Sequence, residues 1–250
     1  MGLFDRARAF IRGLREGAEI ANSLNTVVAI AQEEGIVDKM PQDHVDTFVE
    51  AHRLLRDHEN RDQIIRELIR TYAQHKKRNK EEIVELMMKH LSRATRREHI
   101  IALHRTLRTL EEHNVPHEHR AKILRAIQDP EDLVKVANAL EKLERMNLKH
   151  LQPEALLAAI KYDKPGEFLE RSAGDVEIAR KKMSMAFNKI SELEPGESGP
   201  NRYEMLAILG KDYRLANAEG KNAEKEYIAR VRELSTNGGI RKLAERRYEL

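Results

Sequence analysis

Apolar residues in this chain recur every three or four positions and almost never every second one. Ile64, Ile65, Leu68, Ile69 and Tyr72 make one such face, and Ile83, Val84, Met87, Met88 and Leu91 a second. Leu133, Val136, Ala137, Leu140 and Leu143 make a third. That spacing puts each set on one side of an α-helix, whereas a half-buried strand needs strict alternation. Val27-Val28 is too short a β-branched run to start a sheet. The fold class expected is all-α: an irregular multi-helix bundle followed by a C-terminal helical hairpin region.

The punctuation between these faces is helical too. Asn60 with Gln63, Asn79 with Glu82, and Thr95 with Glu98 have the spacing of reciprocal N-terminal caps. Asp129-Pro130 places a capping carboxylate before a first-turn proline, Gln152-Pro153 opens another helix, and Pro116 marks a break. Connectors of a few residues force antiparallel neighbours. No fixed-period repeat is read in this part, so a bundle is expected rather than a solenoid.

Four segments are expected. Residues 1–40 form an amphipathic segment, 41–163 a helical bundle, 164–237 a hairpin region and 238–250 a basic tail. The third begins at a composition shift, Lys164-Pro165-Gly166 and Ser172-Ala173-Gly174. Beyond it Val176, Ala179, Met183, Ala186, Ile190 and Leu193 keep helical spacing, with alanines that let a partner helix approach closely. Ala179, Met183, Ala186 and Ile190 are therefore the expected seam for a protein partner or a second copy. Pro195 to Asn201 reads as a linker. After it, Leu209-Gly210 with Tyr213, then Ala223 and Tyr227, resembles a tetratricopeptide repeat. The turn length departs from that family and a single repeat cannot bury its own faces, so a helical hairpin is all it implies. Gly238-Gly239 releases the tail IRKLAERRYEL, to dock on a partner or stay mobile.

Charge bounds the function. The 250 residues carry 45 Lys and Arg against 42 Asp and Glu, so a bulk polycation is excluded and any polyanion affinity must come from local clustering. With no cysteine, thiolate chemistry, disulfides and cysteine-ligated metals are excluded. The longest uncharged run, Ile20 to Gln32, is too short and polar to span a bilayer, and MGLFDRARAF lacks the apolar region of a secretory signal. A soluble, cytoplasmic protein is expected.

Residues 3–18 pattern as an amphipathic helix, Phe4, Phe10, Ile11 and Leu14 among arginines, suited to a partner helix or a membrane surface. The opening MGLFDR resembles the membrane-facing start of the phage-shock protein A family. That implies a lipid-surface role for this segment, although the prolines further on depart from that family's long unbroken hairpin.

The densest chemistry lies between Lys89 and Arg125. Lys76, Lys77, Arg78, Arg93, Arg96, Arg97, Arg105 and Arg108 pattern as a basic stripe able to track RNA or ribosomal phosphates. Between Phe48 and Tyr162 the one aromatic is Tyr72, which leaves no platform for base stacking. Leu91-Ser-Arg-Ala-Thr95 resembles the turn of bacterial helix-turn-helix repressors, implying Arg93, Arg96 and Arg97 at phosphates or base edges. Arg96 stands where that motif needs a buried aliphatic, His90 where it needs the turn glycine and Lys89 where it needs a core leucine. His113, His117 and His119 cluster, yet His117 and His119 diverge on a helix, so no metal is expected. The pairs Glu33-Glu34, Glu81-Glu82 and Glu111-Glu112 diverge likewise, and no glycine-rich phosphate loop occurs.

The leading expectation is a non-enzymatic helical interaction or scaffold protein without a cofactor, docking on a protein partner and self-associating. The alternatives are an RNA-binding or ribosome-associated factor and a peripheral membrane adaptor.

Overall fold

The computed structural model describes residues 3–193, 199–234 and 238–249, with the side chains of residues 3–15 excepted. Among the described residues there are α-helices and short 3-10 turns and no strand, so the all-α class holds. The chain divides into two compact units, Met1–Arg105 and Thr106–Leu250.

Unit 1 holds α1 (Leu3–Glu33), α2 (Gln42–Leu54), α3 (Arg61–Lys77), α4 (Glu81–Ser92) and the start of α5 (Arg97–Glu112). Its core is built by the faces read from the sequence. Val27, Ile30 and Ala31 of α1, Phe48 and Leu55, Ile65, Leu68 and Ile69, and Ile83 and Met87 are all buried, with α1 packed on α2 and α3, and α4 on the same two helices. Phe48 packs edge-on against Tyr72 at 5.8 Å between ring centroids. The Tyr72 hydroxyl, at the edge of this core, bonds to His44 Nδ1 at 3.0 Å.

Unit 2 continues with α6 (His117–Ala126), α7 (Pro130–Arg145), α8 (Gln152–Ala159), α9 (Pro165–Lys182), α10 (Ser184–Ser191), α11 (Arg202–Ala218), α12 (Ala223–Leu234) and α13 (Gly239–Ala244). α9 is its central helix, packed on α7, α8, α10 and α11. The glycine- and alanine-rich composition that reads as a boundary at residue 164 serves this burial instead. Pro165 sits in the first turn of α9. Gly166 lies so close to α7 that a Cβ there would stand 2.2 Å from the Asp132 carbonyl oxygen. Gly210 of α11 lies closer still to α9, with 1.7 Å between a Cβ and the Asp175 carbonyl oxygen. Removing the side chain lets backbones touch, and ordering a glycine is the entropic cost.

Helix ends reveal a device that cap spacing does not predict. Gly35, Asn79, Asn114, Asn147 and Gly220 all take positive φ just past a helix. Each is followed by an N–H that reaches back into the last turn: Ile36 to Ala31, Lys80 to His75, Val115 to Leu110, Leu148 to Leu143 and Lys221 to Ala216. This left-handed C-terminal motif satisfies carbonyls that the helix leaves open. Asn79 therefore closes α3 rather than capping α4, whose N-cap is Lys80. Asn60 makes no capping bond either. Its φ of −100° and ψ of 24° turn the side chain away, and its N–H is taken by His58 Nδ1. The Thr95 N–H is taken by His99 Nδ1, and Glu98 pairs with Arg97. Asp129 does cap α7, accepting from the Glu131 N–H at 2.9 Å.

A short recurrence accompanies these ends. Ile100, Leu103, Leu107 and Leu110 precede Asn114 at the offsets at which Leu133, Val136, Leu140 and Leu143 precede Asn147. All eight apolar residues are buried.

Candidate functional site

The expected partner seam is interior. Ala179, Met183, Ala186 and Ile190 are all buried within unit 2, where α9 and α10 meet α11 and α12. The spacing from Val176 to Leu193 is not one helix, because Met183 leaves helical geometry at φ −129° and ψ 43° and starts α10 in a new direction. A seam occupied by the protein's own helices is closed to a partner.

Redirecting α10 creates the site that the seam does not provide. α12 rests on its neighbours through Ala223, Tyr227 and Leu234, and its next face stays uncovered. A groove of about 600 Å³ runs along it, lined by Met183 and Met185 from the α9–α10 junction, Tyr213 from α11, and Tyr227, Ile228 and Val231 from α12. Met185 is 68% exposed and Ile228 57%, large apolar side chains in water on two different helices. The Tyr213 and Tyr227 rings lie 5.4 Å apart, tilted by 42°. Burial pushes the Tyr227 phenol above its ordinary pKa, so it stays neutral. Lys182 and Arg232 line the groove with one acid, Glu224, and neither cation has an ion pair among the described residues.

Most of the basic stripe is engaged by the protein's own groups, acids among them. Lys76 pairs with Glu81 at 3.0 Å, Lys77 donates to the Glu34 carbonyl at 2.8 Å, Arg97 pairs with Glu98 at 2.9 Å and Arg108 with Glu112 at 3.5 Å. Arg96 donates to His99 Nε2 at 3.2 Å. Arg96 and Arg97 line a cleft with Arg53 and Arg56, but Glu19, Glu50, Asp57 and Glu98 line it too, so four cations meet four carboxylates. Arg93 and Arg105 also have partners, while Arg78 follows the end of α3 as an exposed cap. Lys76, Arg97 and Arg108, each beside a carboxylate, offer phosphates less than bare cations would.

The histidines are also dispersed. His104 Nε2 lies 2.5 Å from Glu67 Oε2, and His113 Nε2 lies 3.2 Å from Gln152 Oε1. Among the described residues no three His, Asp or Glu side chains group as metal ligands. Phe4, Phe10, Ile11 and Leu14 lie outside the residues whose side chains are described. Further along α1, Ile20 and Leu24 are exposed. No helix among the described residues is long and apolar enough to cross a membrane.

The buried charges of unit 2 hold the fold together. Asp175 accepts from Arg214 Nε at 2.9 Å and from the Tyr248 hydroxyl at 2.6 Å. Glu204 takes Lys161 and the Tyr162 hydroxyl, both at 2.9 Å, and Glu154 pairs with Arg202. Burial raises the Tyr162 and Tyr248 phenols, with Glu204 and Asp175 adding to the shift. Tyr248 belongs to the tail, which docks on its own unit: Arg246 pairs with Asp212 and the Tyr248 ring meets Phe168 edge-on at 5.4 Å.

Compared with known proteins, the chain matches no family model, no curated protein and no solved structure.

Proposed function

We propose that this chain is a non-catalytic, all-α docking protein whose second unit receives an acidic amphipathic helix of a protein partner in the Met185–Ile228 groove, in the cytoplasm. The observation that carries the reading is the exposure of Met185 and Ile228 on either side of a tyrosine floor. Covering what is still exposed gains roughly 1–2 kcal/mol for each, an incentive for a ligand that brings its own apolar stripe. Methionine adapts its shape to a partner side chain, and a groove between helices suits anchors at helical spacing. Lys182 and Arg232 choose the sign of the flanking charge, since acidic residues beside the stripe would supply the ion pairs these cations lack. The non-catalytic part rests on where the ionisable groups go: Tyr162, Glu204, Asp175 and Tyr248 spend their bonding capacity on one another and on arginine and lysine.

The test is a fluorescence-anisotropy titration of a labelled helical peptide with leucines at i, i+3, i+4 and i+7 and glutamates elsewhere. Saturable binding is expected, lost in Ile228→Glu and Met185→Glu and weakened in Lys182→Glu/Arg232→Glu. Equal binding by the groove variants, or equal binding of the same peptide with lysine for glutamate, overturns the proposal. Association of the chain with itself, with anionic vesicles or with RNA through these residues, the acidic peptide being ignored, also overturns it.

A further inference from the structure

Unit 1 contains a polar cluster that the docking groove does not use. Arg61, at the start of α3, ties three helices together. Its Nε donates to the His52 carbonyl at 2.8 Å, an acceptor in the last turn of α2. Its Nη2 carries two hydrogens, one reaching Ser23 Oγ on α1 at 3.0 Å and the other His52 Nδ1 at 2.7 Å. On the far side of the imidazole, Nε2 lies 2.8 Å from Asp62 Oδ1.

These contacts fix the protonation state by donor and acceptor logic. A guanidinium only donates, so His52 Nδ1 must accept and carries no proton. A carboxylate only accepts, so Nε2 carries the hydrogen. The ring is therefore neutral, and it is 1% exposed in the interior of the unit. Adding a proton puts an N–H on Nδ1 against the N–H of Arg61 at hydrogen-bond distance, turning an attraction into a clash of two cations. The gain at Asp62 is small, because that carboxylate side chain is 72% exposed and screened by water.

The geometry also says what gives way. Among the described residues of α1, Ser23 is the first to bond to another helix. Further toward the C-terminus, Val27, Ile30 and Ala31 are buried, and Glu33 and Glu34 pair with Arg66 and Arg70. In the turns of α1 just before Ser23, Glu16 to Asn22 are exposed except for the half-buried Glu19, and Ser23 is the nearest buried residue, held by Arg61.

We propose that His52 is an acid-sensitive latch: its protonation withdraws Arg61 from Ser23 and loosens the Gly17–Leu24 stretch of α1, while the part from Val27 onward stays packed. Desolvation holds the His52 pKa below the ordinary range. Asp62 opposes that, Arg61 adds to it, and Glu19 of α1 opposes it weakly. Asp57 and Glu59 in the α2–α3 turn also face the cluster. A folded-state pKa below the unfolded one means that the unfolded state binds the proton first. The latch is thus fully closed above about pH 6.5 and opens as the pH falls through the lower folded value.

The experiment is hydrogen exchange on the full chain, read across α1 at about pH 7.5 and about pH 5.5 and corrected for intrinsic exchange rates. Protection of the Gly17–Leu24 amides is expected to fall by about tenfold, one pKa unit of coupling, while α3 and α4 amides hold. His52→Gln, neutral at both values, is expected to remove the difference. The same difference in the variant, or no difference in the wild type, overturns the proposal. Should His52→Gln fold poorly, nitrogen NMR of the wild-type ring decides instead. An Nε2–H tautomer titrating below about pH 6.5 supports the latch, and an Nδ1–H tautomer or a higher midpoint overturns it.

Discussion

Gly210→Ala is the sharpest test of how unit 2 is packed. The added Cβ would stand 1.7 Å from the Asp175 carbonyl oxygen, where ordinary contact begins at 3.4 Å. α9 and α11 must therefore part by on the order of 1.5 Å, and a gap of even 0.5–1 Å forfeits a quarter to a half of each contact along the interface. Overpacking of this kind costs about 3 kcal/mol, offset by about 1 kcal/mol because alanine is the better helix former. A net loss of about 2 kcal/mol or more is expected in unit 2 alone. Urea unfolding followed by segment-resolved hydrogen exchange separates the units, and unit 2 peptides should lose protection at lower urea while α2 and α3 peptides do not move. Gly17→Ala is the counter-case: its Cβ meets nothing within 4 Å, so replacing an exposed helical glycine should stabilise by about 0.5–1 kcal/mol. An unchanged or raised midpoint for Gly210→Ala would refute the close-approach argument.

Substitutions at two further positions probe the same unit. Tyr248→Phe removes the 2.6 Å bond to Asp175 and should lower unit 2 stability by about 1.5–3 kcal/mol in denaturant melts. The buried phenols Tyr162, Tyr203 and Tyr248 have raised pKa values, so their contribution is complete below about pH 10 and is lost above it; the Phe variant should show a shallower alkaline loss. Asn147→Ala, at φ 57°, should cost about 1–2 kcal/mol in thermal melts, and Asn147→Gly should be neutral or slightly stabilising.

Much of the helical framework was legible because it depends on local spacing. The α3, α4 and α7 faces were each read directly, and each is buried as read. Signals that local spacing cannot carry were misread. Asn79 looks like an N-cap and is a left-handed C-terminal residue, since the same side chain suits both ends of a helix. The Ala179–Ile190 seam has the pattern of an interface, but pattern does not say whose helix fills it. The Asn114 and Asn147 recurrence stands in the sequence and was missed, because the matching stretch covers little more than one helix. Ile228 left a usable trace: it is an aliphatic residue one position off the Ala223, Tyr227, Val231 and Leu234 face, where a solvated helix ordinarily carries a polar residue. Met185 left a weaker one. The basic stripe reads as free charge because its partners are only partly local: Glu98 stands next to Arg97, whereas the backbone carbonyl that Lys77 reaches, that of Glu34, is far away in the sequence.

Methyl NMR of methionine-labelled protein titrated with the acidic amphipathic peptide tests the docking claim most directly. The account predicts that the Met185 resonance shifts and saturates with the binding curve, while Met87 and Met88 in the core of unit 1 stay in place. Peptide binding that leaves Met185 unmoved, or a Met185 shift that persists unchanged in Ile228→Glu, would contradict it.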